Sequence, residues 1–209
     1  DEKLIEAYRQ AEDIHRITAS QVFHVPFDEV TSEMRSAAKA VNFGIVYGIS
    51  DFGLARQLGI SRKEAARYIE LYFMRYPGVH TYLKGCVERA KQQGAATTLF
   101  GRRREMPELK SSNYNTRSFG ERVAMNMPIQ GTAADIIKLA MVRVHNELKA
   151  RGMKSELILQ IHDELIIDAV QEEADAAAEI LKSCMENVVN LKVPLLAEVH
   201  TGHSWFDTK

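Results

Sequence analysis

Residues 157–169, LILQIHDELIIDA, constrain the fold more than any other stretch. Apolar residues stand on both sides of a polar centre, His162-Asp163-Glu164. The pattern predicts two short strands joined by a two-residue turn, with the Leu and Ile flanks belonging to a core. A core does not accept two carboxylates beside a histidine unless something charged meets them there. At the tip of a hairpin, Asp163 would project with both carboxylate oxygens free. Such oxygens suit Mg²⁺, a hard ion that takes oxygen ligands. A divalent cation also removes the cost of desolvating Asp163 and Glu164 side by side. A plain solvent-exposed turn accounts for the same residues, because Asp is a favoured turn residue. The apolar flanks argue for a turn set within a packed domain.

The charge pattern is uneven although the formal net charge is only −1, which excludes a global positive field. From Arg89 to Arg122 there are eight Lys or Arg against three acids, and from Asp163 to Asn187 eight acids against one base, Lys182. A basic middle beside an acidic end is compatible with nucleic acid on one surface and metal on another; solvated helix faces would look the same. The 209 residues, 45% hydrophobic, suffice for one large domain or two small ones. Cys86 and Cys184 have no CxxC spacing, which disfavours a disulfide framework or structural zinc and fits a reducing, cytoplasmic compartment. No apolar run has membrane-spanning length, so no membrane partner is expected. The acidic start, DEKLIEAYRQAEDIH, lacks a signal-peptide pattern. It begins without Met inside a helical pattern, as a fragment would, or a processed or engineered chain.

Along the chain, residues 2–24 read as one helix, with Leu4, Ile5, Tyr8, Ala11 and Ile14 at helical spacing. Thr31 or Ser32 caps a helix running to about Tyr47, with Glu33 in its first turn and Gly48 as a stop. SDFGLARQLG and SRKEAARYIELYFMRYP are two further helices, the second opened by a Ser61/Glu64 capping box and ended by Pro77-Gly78. VHTYLKGCVERAKQQG is another, ending at Gly94, followed by a short hairpin with Gly101 in or near its turn. A long helix is expected from about Asn115 to Arg151, interrupted by Pro128 and Gly131. After the His-Asp-Glu hairpin come an Ala/Glu helix at 171–189 and a last strand, PLLAEVHTG. The class is α+β: a mostly helical unit over 1–120, then a unit over 121–209 with a short antiparallel sheet flanked by helices.

Arg35, Lys39, Phe43 and Tyr47 sit four apart. At about 100° per residue each step drifts only about 40°, so they line one stripe, cations first and aromatics next. Cations neutralise a polyphosphate, Arg as a fork and Lys as a point charge, and a ring offers a flat wall to a sugar or base. Gly44 and Gly48 flank the aromatics, where a missing side chain allows close approach of a base pair. An amphipathic helix with core aromatics and solvated cations has the same spacing. His15, at a helix end, reads equally as a capping or surface residue. On the long helix Arg122, Asn126 and Gln130 are again four apart, all donors of the kind that reads base edges in a minor groove, or a stripe facing water.

Taken together, these segments resemble family A DNA polymerases. RSAAKAVNFGIVYG is similar to the family's nucleotide-binding motif and QIHDELIID to its third palm motif; RVAMNMPIQGTAADIIK and EDIHRITAS also match, in the same order, and the likeness extends to the closing HSWFDTK. The resemblance implies that Lys39, Arg35 and His15 bind the triphosphate of an incoming deoxynucleotide, and that Lys39 donates a proton to the leaving pyrophosphate. Phe43 would pack near the sugar and Tyr47 by the template base. Arg122, Asn126, Gln130 and His162 would contact the minor groove of the primer-template DNA. Asp163 would be a catalytic metal ligand, with Glu164 a less certain neighbour. The helical unit would be the fingers and the second unit part of the palm, in a bacterial, nucleoid-associated enzyme. Placing cations on the phosphates implies an open-to-closed motion of the fingers.

The family pairs two aspartates to hold two Mg²⁺ ions, and the first belongs to a motif of the type Asp-Tyr-Ser-Gln-Ile-Glu that this chain does not contain. The resemblance puts that motif shortly upstream of Asp1. The expectation is a piece of a polymerase, inactive alone, whose unpaired strand edges and apolar surface favour self-association. Two other functions fit parts of the pattern: a non-catalytic nucleic-acid-binding module with the same fold, and a Mg²⁺-dependent phosphohydrolase built on His162-Asp163-Glu164. The second would have no need of the stripe from Arg35 to Tyr47.

Overall fold

The computed structural model describes residues 1–10 and 12–208. Ala11, one of the residues at helical spacing in the first segment, and Lys209, which ends HSWFDTK, lie outside the described residues. The chain divides into two compact units, Asp1–Gln130 and Gly131–Lys209.

The first unit is helical. The segment expected as one helix is two, α1 (Glu2–Arg9) and α2 (Ile14–Phe23). The cause is Asp13. Its carboxylate accepts from the His15 and Arg16 amides at 3.1 and 3.0 Å, starting a new helix where periodicity alone would continue the old one. Next come α3 (Ser32–Val46), α4 (Asp51–Leu58), α5 (Arg62–Arg75) and α6 (Pro77–Gln93). Thr31 caps α3, the Ser61/Glu64 capping box opens α5, and Gly94 closes α6 in the left-handed region at φ +69. Strands β1 (Ala95–Thr97) and β2 (Arg103–Glu105) pair antiparallel, with Gly101 in their turn at φ +84.

One face of α3 carries Val41 and Ile45 into a core completed by Leu54 and Ala55 of α4, Ala65 and Tyr72 of α5, Tyr76 between α5 and α6, and Leu83 of α6. Ala19 of α2 and Ala38 of α3 meet in a second cluster with Val30. These two clusters hold α3 by its inner face, which decides what its outer face is free to do.

The long helix α7 (Tyr114–Ala150) is a single 37-residue element, with Pro128 inside it. The expected interruptions at Pro128 and Gly131 are absent. A proline removes one amide and Gly lowers helix propensity by about 1 kcal/mol, and neither outweighs packing along both flanking stretches. In the first unit Ala124 is buried with Ala90, Ala96, Met106 and Leu109.

In the second unit, Ile137, Ala140, Val144 and Leu148 form the buried stripe of α7. They pack with Leu165 of the hairpin and with Ala177, Ile180 and Cys184 of α8 (Ala174–Glu186). The hairpin is β3 (Glu156–Ile161) against β4 (Glu164–Asp168), antiparallel, with an irregularity between Leu157 and Leu159. Only one face of it is core: Leu165 is buried, while Ile158 and Leu159 are 59% and 44% exposed. The expectation that all the apolar flanks are buried is corrected accordingly. At the hairpin's far end, Glu173 accepts from the Lys154 and Ser155 amides at 3.0 and 2.9 Å and from the Ser155 hydroxyl at 2.7 Å.

PLLAEVHTG is not a strand. From Leu191 to His200 it alternates half-buried and exposed residues as a strand would, but among the described residues no ladder pairs it. Its Ala197 amide donates instead to the Glu186 carboxylate at 3.1 Å. The α+β class stands, with two two-stranded antiparallel sheets among helices.

Candidate functional site

The outer face of α3 carries the stripe. Arg35, Lys39, Phe43 and Tyr47 are exposed, and Ala38, Val41, Asn42 and Ile45 are buried behind them. Phe43 and Tyr47 are 44% and 41% exposed, so the aromatics are not core. Their rings stack at 6.2 Å and 25°, the Lys39 ammonium lies 5.8 Å from the Phe43 centroid, and the His15 ring lies 5.7 Å from that of Phe43. Helical geometry thus sets a graded surface: cations at the N-terminal end of α3 and flat rings at the C-terminal end.

Lys39, Phe43 and Tyr47 of that surface line a cavity of about 560 Å³ with Ser36, Gln57 and Arg122. Arg122 comes from α7, where its guanidinium stands 6.0 Å from the Phe119 ring and donates to the Ser118 hydroxyl at 3.1 Å. The volume is that of a small-molecule site, and its walls combine apolar faces with a few cations.

His15 is half-buried at the first turn of α2. Burial lowers its pKa, with the Arg35 charge and then the Lys39 charge adding to that and Asp13 opposing. Its Nδ1 lies 2.9 Å from the Asn42 amide nitrogen. Arg35 is held by Asp13, Nε to Oδ2 at 2.6 Å. Burial alone would raise the Asp13 pKa, but the Arg35 and Arg16 hydrogen bonds and the Arg35 and His15 charges bring it below the ordinary carboxylate range.

Asp13 and Asn42 were not anticipated from sequence. Asn42 had a signal: it is the polar residue on the core-facing side of α3, between Ala38 and Ile45. Asp13 had a weaker one, an acidic cap candidate inside an unbroken helical pattern.

Gly44 and Gly48 both stand against side chains of this chain. A Cβ on Gly44 would meet Ile49 at 3.0 Å; one on Gly48, at φ +72, would meet the Met125 methyl at 2.4 Å and Arg122 Cγ at 3.1 Å. The close approach they permit is by this chain's own side chains.

Asn126 is half-buried on α7, and its Oδ1 is buried with no hydrogen-bond partner among the described residues. Gln130, one turn further on, is exposed. In the second unit His162, Asp163 and Glu164 are all exposed at the tip of the β3–β4 hairpin. His162 takes the left-handed conformation, φ 51, and its carbonyl accepts from the Gln160 side chain at 2.7 Å, which fixes the two-residue turn. Among the described residues no three His, Cys, Asp or Glu side chains converge as a metal-ligand set. Asp163 fits a hard cation as one oxygen donor of a site, not as the whole of one.

The sequence profile described as DNA polymerase family A matches residues 1–207. The chain belongs to DNA polymerase family A. It is 56% identical over all its 209 residues to DNA polymerase I of Caldicellulosiruptor bescii, and 54% identical over its whole length to DNA polymerase I of Bacillus subtilis. It spans about a quarter of those relatives, 25% and 24% of their lengths. The solved POL domain of Pol1 from M. smegmatis, in complex with DNA primer-template and dNTP, superposes with a TM-score of 0.94 at 45% identity, covering 100% of this chain and 37% of that one. Metal dependence is general in family A, and among the described residues of this member no helix is long and apolar enough to cross a membrane.

Proposed function

We propose that this chain is the nucleotide-binding and part of the metal-binding region of a DNA-directed DNA polymerase, with the first unit serving as fingers and the second as part of the palm. The observation that carries it is the exposed Arg35-Lys39-Phe43-Tyr47 face, flanked by His15, with Lys39, Phe43 and Tyr47 opening on the same cavity as Arg122. A stack of rings beside a run of cations suits a deoxynucleoside triphosphate, rings toward sugar and base and cations toward phosphates. A second observation in support is the Asp163 hairpin, an exposed tip carrying carboxylates.

In the reaction the 3′ hydroxyl of a primer attacks the α-phosphate of the nucleotide and pyrophosphate departs. Phe43 limits where the sugar sits and Tyr47 stands at the template base. Arg35 and His15 hold the phosphates in line, and Lys39 gives a proton to the leaving pyrophosphate. Arg122, Asn126, Gln130 and His162 donate to the primer-template minor groove, where A·T and G·C pairs both offer acceptors, so that pair geometry rather than sequence is read. Asp163 supplies oxygen ligands to a divalent cation, Mg²⁺ being the natural choice, and Glu164 stands beside it. Such ions, when bound, stabilise the entering and leaving oxygens. The remaining carboxylate comes from the rest of the intact protein, and the 209-residue chain alone is expected not to extend a primer.

The deciding experiment is primer extension by the intact polymerase with Lys39→Ala. The expected result is a loss of incorporation of about two to three orders of magnitude, the effect of removing a cation that faces transition-state charge. Unchanged incorporation would remove Lys39 from the reaction; phosphohydrolase activity that Lys39→Ala leaves unchanged would favour a phosphohydrolase centred on Asp163.

A further inference from the structure

His15 is hydrogen-bonded to α3 through one atom pair, and that pair decides what the rest of the ring can do. Asn42 is only 9% exposed, and its Nδ2 lies 2.9 Å from His15 Nδ1. Its Oδ1 lies 3.0 Å from the Thr18 hydroxyl, which in turn lies 2.8 Å from the Ile14 carbonyl. An amide has one donating and one accepting end, a neutral imidazole likewise, and a hydroxyl has a single proton. With Nδ2 toward the ring, His15 Nδ1 must accept, so the proton of the neutral ring is on Nε2, and Thr18 donates to Asn42 Oδ1. With the amide turned over, Nδ1 must carry the proton, and Thr18 accepts from Nδ2 while donating to the Ile14 carbonyl. Each arrangement satisfies every group, and neither can change one member alone. The orientation found here is the first, with the Asn42 Nδ2 toward the ring.

We infer that Asn42 is a positioning residue that sets which ring nitrogen of His15 carries the proton, holding Nε2–H as a donor to the incoming triphosphate. The inference rests on the reading of His15 as a phosphate contact. It matters because the ring is biased toward the neutral form. Burial and the neighbouring Arg35 and Lys39 charges act in that direction against Asp13. A doubly protonated ring donates from both nitrogens whatever Asn42 does; a neutral ring donates from one, and Asn42 selects it. The charged groups acting on the ring come from both packed elements: Asp13, the N-cap of α2, and Arg35 and Lys39 on α3.

The test uses the intact polymerase in four forms, the parent, Asn42→Ala, His15→Ala and the double variant, with KM for dNTP and kcat read from steady-state primer extension. Asn42→Ala leaves the Thr18 hydroxyl its Ile14 acceptor, so no buried donor is orphaned. It should raise KM about three- to ten-fold, the worth of one ordinary hydrogen bond, because a ring released from Asn42 still carries its proton on Nε2 part of the time, with a smaller effect on kcat. In the His15→Ala background the same substitution should add nothing. Asn42→Asp forces the proton onto Nδ1, so its KM should climb as pH rises and the ring loses its second proton, while the parent stays flat over that window. Equal effects of Asn42→Ala in both backgrounds, or a parental pH profile in Asn42→Asp, overturn the inference alone. An unchanged KM in His15→Ala overturns the phosphate-contact reading and the inference with it. Thermal unfolding is followed for each variant; where Asn42→Ala does not fold, the pH profile of Asn42→Asp carries the decision.

Discussion

Arg35 on α3 reaches back to Asp13, the N-cap of α2, with Nε 2.6 Å from Oδ2. One carboxylate therefore does two things: it starts α2 and it occupies the guanidinium proposed to bind phosphate. Arg35 can meet a triphosphate only by exchanging or sharing this partner. Asp13→Asn separates the two jobs, since Asn caps a helix as well as Asp does but leaves the cation unpaired. The ion pair is exposed and is worth about 0–1 kcal/mol. The expected outcome in the intact polymerase is a fall in KM for dNTP of up to about five-fold, within that energy, with little change in melting temperature. A raised KM would mean that Asp13 orients Arg35 rather than competing for it. The pH dependence has a definite sign. The Asp13 pKa is lowered in the folded chain, so this contact contributes above the ordinary aspartate range and is lost as pH falls through the lowered value.

Gly48 carries two separate constraints. Its φ of +72 lies where an L side chain costs about 1–2 kcal/mol, and an added Cβ would lie 2.4 Å from the Met125 methyl. Gly48→Ala should therefore lower stability by about that amount and push α7 at Arg122 away from the cavity, raising KM for dNTP. Adding Met125→Ala relieves the collision and leaves the backbone strain. The double variant should bind dNTP better than Gly48→Ala while staying less stable than the parent. Thermal unfolding and primer-extension kinetics on the same preparations separate the two effects.

What could be read in advance depended on how local its cause is. The α3 stripe, the Ser61/Glu64 capping box and the His162-Asp163 turn are set by residues within a few positions of one another, and all are present. The break after α1 was missed because periodicity favoured continuation, and Asp13 is secured as a cap by Arg35, 22 positions away. PLLAEVHTG has strand alternation, but a strand also needs a partner, and its Ala197 amide goes to a carboxylate on α8. Ile158 and Leu159 look like core residues, yet a hairpin with one packed face leaves part of an apolar run outside. In the site, the stripe was legible because helical spacing alone builds it. The Asn42–His15 contact was not, because it joins two helices.

Glu173 secures the end of the hairpin opposite Asp163. The Ser155 hydroxyl and then the Ser155 and Lys154 amides hold its pKa below the ordinary glutamate range. A lowered folded-state pKa means a contribution present above that range and lost as pH falls through the lowered value. Glu173→Gln should flatten this acid dependence and speed hydrogen exchange at the Lys154 and Ser155 amides of the intact polymerase. Exchange rates at those two amides that match the parent's at every pH would show that the hairpin is held by its core face alone.

Asp163 and Glu164 are neighbours in sequence but are not interchangeable. Glu164 is the first residue of β4, paired with Ile161, and the next residue, Leu165, is buried. Strand alternation therefore turns Glu164 to the face opposite Leu165, while Asp163 stays in the turn. Glu164 is thus fixed by its strand and Asp163 is not, and Asp163 is the proposed ligand of an ion at the tip. In the intact polymerase Asp163→Asn should cut incorporation by about two to four orders of magnitude if Asp163 is the proposed metal ligand. Glu164→Gln should stay within about ten-fold of the parent. Raising the Mg²⁺ concentration should partly restore Asp163→Asn if the loss is one of metal affinity. Equal losses in the two variants would mean that both carboxylates bind metal and that the turn rearranges from the geometry found here.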